Sequence, residues 1–241
     1  MGEGITYGGV LQIGALLKLQ QPLSAENVHD ELQYVIIHQC SELWFKLLLH
    51  ELDAVVDELL TGDVGQAARL LRRCIKIVGL VDEGFSLLET MTAYDYARFR
   101  HSLTGGSGFQ SAQFREVEIA LGCHREETLH QAAFSEEERA RIAARLQRPN
   151  LWTAFLEAMR RSGVGDLREM YAGGTNQALR DVSEEMAALD NAVLLWRTHH
   201  AVMAERAIGQ KVGTGGQGVE YLYRVARTRC FPELLTVRTE L

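Results

Sequence analysis

Apolar residues recur at three- and four-residue steps along most of this 241-residue chain, the period of an amphipathic α-helix rather than of a strand. The spacing predicts a short first helix over 7–20. A long one follows over 24–60, with Ser24 as its N-cap and Thr61-Gly62-Asp63 as its break. Within the long helix Leu32, Val35, Ile36, Leu43, Trp44, Leu47, Leu48 and Leu52 are expected to form the core-facing stripe. Further helices are predicted over 65–90, 93–103 and 109–121, the second of them running into TGGSG. Residues 135–190 carry amphipathic patterns broken at Pro149, at SGVG (162–165) and at AGGTN (172–176), and a small peripheral helical hairpin is expected over about 135–185. A long helix over 183–208 and two short ones over 219–228 and 232–239 complete the chain. Without period-two alternation, internal repeats or a linker, the fold class is all-α, a helical bundle in a single domain spanning 1–241.

Composition narrows the function classes. With 46% hydrophobic and 24% charged residues the chain has the make-up of a globular protein long enough for a sizeable core. A formal charge of −7 is the wrong sign for a nucleic-acid binder, whose phosphate-facing surface is basic. No apolar run is long enough to span a membrane and no signal peptide opens the chain, so a cytoplasmic protein is expected. Cys40, Cys74, Cys123 and Cys230 are widely spaced with no CxxC pair, a pattern of reduced thiols rather than of a disulfide framework or a zinc site.

Three stretches carry candidate chemistry. In WRTHHAVMAERAIGQKVGTGGQG (196–218), Leu189, Val193, Trp196, His200, Met203 and Ala207 form one stripe with the preceding residues, and His200 is its only strongly polar member. Burying an imidazole without a partner costs on the order of 1–3 kcal/mol. His200 is therefore either a core histidine bonded to a carbonyl or carboxylate, or an axial metal ligand. His199 projects about 100° away and serves a different neighbour. The loop GTGGQG matches G-x-G-x-x-G only formally, since a helix precedes it, and it lacks the GK[ST] of a phosphate-binding loop. It can present backbone N–H groups and the Thr214 hydroxyl to an anion, or simply cap the helix at Gly209 and turn. In the long second helix Tyr34, His38 and Phe45 share a second face. In YDYARFRHSLTGGSGFQSAQFR (94–115), Tyr96 and Arg100 lie one turn apart, ahead of a glycine-rich turn bearing Ser107. An arginine beside a hydroxyl suits a carboxylate clamp, although a lone arginine equally makes an ordinary surface ion pair.

These stretches together resemble the tryptophan 2,3-dioxygenase superfamily of heme-dependent aromatic oxygenases. The resemblance rests on TYGGVLQIGALLKLQQPLS (6–24), HDELQYVIIHQCSELWFKLLLHEL (29–52), FRHSLTGGSGFQSAQFR, WRTHHAVMAERAIGQKVGTGG and FPELLTVRT (231–239), five blocks in family order. It implies a helical bundle around a buried b-type heme, with His200 as the proximal iron ligand and His38 as the distal histidine that bonds the substrate's indole N–H. Arg100 would pair with the amino-acid carboxylate, with Tyr96 beside it. Thr214 would meet the ammonium group and a heme propionate, and Ser107 the heme edge. Tyr7 matches a tyrosine that enters a neighbouring subunit's pocket, which implies a homotetramer built as a dimer of dimers. Where some relatives attach heme through a cysteine four residues after the proximal histidine, this chain has Ala204, so non-covalent heme is expected.

Departures from the pattern point to a shortened, specialised relative. Tyr34 stands where a phenylalanine usually meets the indole, Val10 replaces a second N-terminal aromatic, and the loop reads GTGGQG rather than GTGGSSG. The expected reaction is oxygenation by O2 of the indole ring of L-tryptophan or a substituted tryptophan, giving an N-formylkynurenine-type product. Its alternative is monooxygenation of a modified tryptophan or tyrosine. Two other classes are weighed. A di-iron bundle would use the ExxH pairs Glu26–His29 and Glu127–His130. A heme-binding scaffold without turnover would have no need of the carboxylate clamp.

Overall fold

The computed structural model describes residues 5–103, 105–130, 133–173 and 176–241, and every regular element among them is helical. Thr104 of the TGGSG turn and Gly174 and Thr175 of AGGTN lie outside the described residues. Three long helices set the frame: α3 (His29–Thr61), α4 (Val64–Leu88) and α10 (Gln177–Ile208). α4 packs along both α3 and α10. The turn between α3 and α4 follows from local chemistry. Gly62 takes the left-handed conformation (φ 105°) that ends α3, and the Asp63 carboxylate accepts from the Gln66 N–H at 2.9 Å to begin α4.

Around this frame lie α5 (Ala93–Arg100) and α6 (Ala112–Leu121), then α7 (Glu136–Leu146), α8 (Leu151–Arg161) and α9 (Leu167–Ala172), and finally α11 (Val219–Ala226) and α12 (Pro232–Arg238). Side-chain caps explain their starts: Thr92, Ser111, Ser135, Asn150 and Asp166 each accept a backbone N–H of the helix that follows. α11 runs beside α10, and α6 and α8 lie across α3.

Four expectations change. The first helix is two fragments, α1 (Tyr7–Val10) and α2 (Ile13–Leu16), separated at Gln12 with φ 52°. Gly8, Gly9 and Gly14 lack helix propensity, and neither fragment buries a residue that would offset this. The second helix starts at His29 rather than after Ser24. Ser24 instead donates its N–H and O–H to the fully buried Glu31 carboxylate, which also accepts the Leu23 N–H at 2.6 Å. Burial alone would raise the Glu31 carboxyl, but these donors hold it below the usual carboxylate range.

The core stripe of α3 is also rotated. Leu48 and Leu52 are buried as expected, but Leu32, Ile36, Leu43 and Leu47 are exposed, and the core receives Ile37, Phe45, Leu49, Val55, Val56 and Leu59. α3 is apolar on two faces, so periodicity alone does not select the buried one. Finally, the hairpin expected at the periphery sends one arm inward. α7 packs on α6, while Leu151, Ala154, Phe155, Ala158 and Met159 of α8 belong to the main core with α3, α4 and α10. Phe155→Ala is accordingly expected to destabilise the protein by about 3–5 kcal/mol, as a core phenylalanine does. A urea melt showing less than about 1 kcal/mol would place α8 outside the core.

Candidate active site

A cavity of about 650 Å³ opens between α3, α4, α5, α6 and α10, a volume typical of small-molecule and cofactor sites. The second face of α3 supplies Tyr34, His38, Ser41 and Phe45, the end of α4 supplies Phe85 and Leu88, and α10 supplies Trp196, His200, Met203 and Ala207. The two histidine-bearing stripes therefore face the same space. Tyr96 and Ser107 line it from the next segment, and Gly213, Thr214 and Gly215 line it from the glycine loop. Ala204, the position of interest for covalent attachment, lies on the same wall.

The adjacent histidines part company as helix geometry requires. His199 turns toward α4, where Nδ1 lies 2.6 Å from Asp82 Oδ1 and Nε2 lies 3.4 Å from Glu89 Oε1. Burial pulls its pKa down, but these two carboxylates more than offset this and the net shift is upward. His200 turns to the cavity and stacks on Phe85, ring centroids 5.0 Å apart and planes at 23°. Burial, then the His38 and His199 charges, push its pKa down to about 4. Among the described residues no side chain or carbonyl hydrogen-bonds its ring. A neutral imidazole with a free lone pair thus faces the cavity, the state in which histidine ligates a metal.

His38 is held by its own helix. Its Nδ1 lies 2.8 Å from the Tyr34 carbonyl oxygen, which can only accept, so the proton is on Nδ1 and Nε2 is left as an acceptor. Burial lowers its pKa and keeps the ring neutral. Tyr34 stacks beside it at 4.0 Å between centroids and meets Tyr96 at 6.1 Å and Phe99 at 5.7 Å. Burial, then the neighbouring Tyr96, raises the Tyr34 hydroxyl pKa, so it stays protonated.

Arg100 is the last residue of α5 and reaches across to the glycine loop, where its Nη2 donates to the Val212 carbonyl. Its Nε is buried without a partner among the described residues. The loop begins at Gly209 (φ 59°) and closes on itself through Gly213 N–H to the Gln217 carbonyl at 2.8 Å. It also sits hard against the Ser107 turn: a Cβ on Gly215 would come within 2.5 Å of Ser107 Oγ and 2.9 Å of the Phe109 ring. Tyr7 and Val10 are placed apart from all of this, exposed on α1 at 78% and 63%.

The ExxH pairs do not form a site. The His29 side chain is fully exposed and bonded to Asp30, and His130 and Glu127 lie at the surface. Among the described residues no cluster of three or more His, Cys, Asp or Glu could hold a metal ion, and no helix is long and apolar enough to cross a membrane.

With this geometry in place, comparison with known proteins identifies its kin. The family model for tryptophan 2,3-dioxygenase matches residues 1–166 and 165–241, the whole chain in two stretches that meet at the SGVG break. The chain belongs to the tryptophan 2,3-dioxygenase family. It is 37% identical over 263 aligned residues to the tryptophan 2,3-dioxygenase of Herpetosiphon aurantiacus, covering 100% of both chains. It is 38% identical over 256 to that of a Nocardioides species, covering 100% of this chain and 96% of the relative. With the Xanthomonas oryzae enzyme of the same name it shares 36% over 261 residues, 98% of this chain and 88% of the relative.

For a tryptophan 2,3-dioxygenase family member the cavity holds one feature that the residue pattern did not single out, a cationic wall. Arg115, Arg125 and Arg197 all line it. Arg115, 2% exposed, pairs with Glu118 at 2.7 Å, and Arg197 pairs with the other Glu118 oxygen at 2.9 Å. Arg125 donates to the Tyr221 hydroxyl and lies over its ring at 5.1 Å. Arg115 Nε and Trp196 Nε1 are buried donors without partners among the described residues. Arg115 closes the FQSAQFR block and Arg197 lies in the WRTHHAV block, whereas Arg125 sits in an irregular stretch that no pattern marked. Gly215→Ala is expected to lift the loop off the Ser107 turn and raise trypsin cleavage after Lys211 several-fold, while Gly218→Ala, which meets nothing within 4 Å, leaves it unchanged. Equal cleavage in all three proteins would show that the loop does not depend on that contact.

Proposed function

We propose that this protein is a heme-dependent tryptophan 2,3-dioxygenase, using O2 to oxygenate the indole ring of L-tryptophan or a substituted tryptophan to an N-formylkynurenine-type product. The observation that carries this reading is His200, an imidazole whose lone pair opens onto a cavity of cofactor size with no protein partner among the described residues. The residues fit non-covalent heme b. His200 would hold the iron, the apolar walls from Phe45, Phe85 and Met203 would meet the ring, and the unmatched donors of Arg115 and Trp196 suit its carboxylates. Ser107 and Thr214, which line the same cavity, are the remaining polar contacts we assign to its edge.

When bound, the heme supplies the one-electron chemistry by which O2 reacts with an electron-rich indole. The protein's own part is positioning. His38 offers Nε2 to the indole N–H, and because the Tyr34 carbonyl fixes the tautomer, it acts as an orienting acceptor rather than a strong base. Arg100 takes the amino-acid carboxylate, exchanging the Val212 carbonyl for two charged oxygens, with Tyr96 lining the approach and Thr214 beside the ammonium group. Tyr34, in van der Waals range of His38, sets the shape available to the indole and its substituents.

We further assign a cytoplasmic homotetramer, a dimer of dimers in which Tyr7, with Val10 beside it, completes a neighbouring subunit's pocket. The exposure of Tyr7, Val10 and the Leu32, Ile36, Leu43 and Leu47 face supports this, since so much apolar surface is characteristic of an interface.

His200→Ala is expected to lose the intense Soret absorption of the purified protein together with turnover. Full pigment and rate in that variant would overturn the assignment of His200. With labelled O2, product mass should rise by both oxygen atoms; a single labelled atom would mean hydroxylation by a monooxygenase instead. Arg100→Lys keeps the charge but loses the two-pronged contact, so KM for tryptophan should rise on the order of 10–100-fold with kcat less affected. An unchanged KM would remove Arg100 from the carboxylate.

A further inference from the structure

Behind the cavity wall lies a second group of reactive side chains. Cys123 follows α6 and Cys230 precedes α12, 107 residues apart in sequence, yet their sulfurs lie 3.1 Å apart. Both are buried, at 8% and 6% exposure. The neighbours are charged: the Arg197 guanidinium lies 3.8 Å from Cys123 Sγ while pairing with Glu118, and the Cys230 N–H donates to the buried Asp190 carboxylate at 2.8 Å. Arg197 also lines the cavity, so the sulfur pair contacts a residue of its wall. The four thiols read from the sequence as mutually distant, but the fold brings these two into contact.

The pair is asymmetric. The hydrogen bond from Cys230, aided by the Arg197 cation, holds the Cys123 thiol below its usual range against burial, whereas the same bond and burial drive Cys230 well up. Arg197 stands beside Cys123, and a neighbouring cation favours that sulfur as the attacking thiolate.

We propose that Cys123 and Cys230 form an oxidisable pair that closes to a disulfide on reaction with a hydroperoxide such as hydrogen peroxide. In the first step the Cys123 thiolate attacks one peroxide oxygen. The O–O bond breaks, hydroxide leaves, and Cys123 becomes a sulfenic acid. The Cys230 sulfur then attacks the Cys123 sulfur, the S–O bond breaks, and water leaves with the Cys230 proton. Two thiol sulfurs are oxidised and one peroxide is reduced, so the electrons balance. Closure changes the sulfur that Arg197 meets and leaves Glu118 as its carboxylate partner. Glu118 also holds Arg115, so the oxidation state of the pair reaches two cationic side chains of the cavity wall.

The test uses the full chain, reduced and then treated with stoichiometric hydrogen peroxide, unfolded, alkylated and digested for mass spectrometry. The expected result is one cross-linked peptide pair joining Cys123 to Cys230, lighter than the two free peptides by two hydrogens and reversed by dithiothreitol, with Cys74 still alkylated. In Cys230→Ser the cross-link should vanish and a dimedone adduct should mark Cys123. The proposal fails if both cysteines of the unaltered protein remain alkylatable, or if Cys123 goes to sulfinic acid without any bridge. The deciding cross-link is read on the unaltered chain, so a variant that does not fold changes nothing in that outcome.

Discussion

The site turns on one imidazole that its own protein leaves without a partner. Placing His200 on the inward stripe of α10 desolvates it and drives it neutral, and nothing among the described residues bonds its ring. Its neighbour shows what the alternative looks like. One position earlier, His199 finds Asp82 and Glu89 on α4 and is pushed toward the charged form. The 100° step between them gives a single turn of helix an anchor on one side and an imidazole open to the cavity on the other. The anchor matters to the site, because it fixes the rotation of α10 against α4 and hence the direction in which His200 and Trp196 point.

The cationic wall obeys the same physics. Arg115 and Arg197 share one carboxylate, Glu118, in a buried setting where an unbalanced charge is costly. Two guanidinium groups against one carboxylate leave an excess of positive charge at the cavity wall, and the Cys123 sulfur is a further contact of Arg197. Such an arrangement favours an anionic guest, and a porphyrin with two carboxylates is one. The same balance explains why a change in the sulfur pair would be felt at the cavity rather than confined to the scaffold.

Much of this was legible from spacing alone. The 4-3-4-3 stripe through Trp196, His200 and Met203, the Tyr34–His38 face and the Tyr96–Arg100 turn all depend on helix periodicity, and each falls on a helix, although α3 starts at His29 rather than near Ser24 and α10 at Gln177 rather than 183. What could not be read depended on which apolar face wins. α3 has two, and the row Leu32, Ile36, Leu43, Leu47 is as regular as the one that is buried, so only the placement of α4 and α8 decides. Ser24 failed as a helix cap for a related reason: a buried carboxylate seven residues ahead was the stronger acceptor for its donors. Arg125, Arg197 and the Cys123–Cys230 contact bring together residues from separate elements, and no local pattern records a contact across 107 positions.

A fold that leaves several buried donors unmatched is one whose stability depends on what fills it. Arg100 Nε, Arg115 Nε and Trp196 Nε1 each lack a partner among the described residues, and an unsatisfied buried polar group costs about 1–3 kcal/mol. Set against a net folding stability of about 5–15 kcal/mol, several such deficits are a sizeable term, and a ligand that pairs these groups removes it. Binding that supplies a metal to the imidazole and carboxylates to the cations stabilises the folded chain by linkage, and the mutual position of α3, α5 and α10 is stabilised with it. Arg100 illustrates the point on a smaller scale. Its guanidinium rests on the Val212 carbonyl, a neutral acceptor that a carboxylate outcompetes, so under the role proposed above this contact is the one the amino-acid carboxylate would replace.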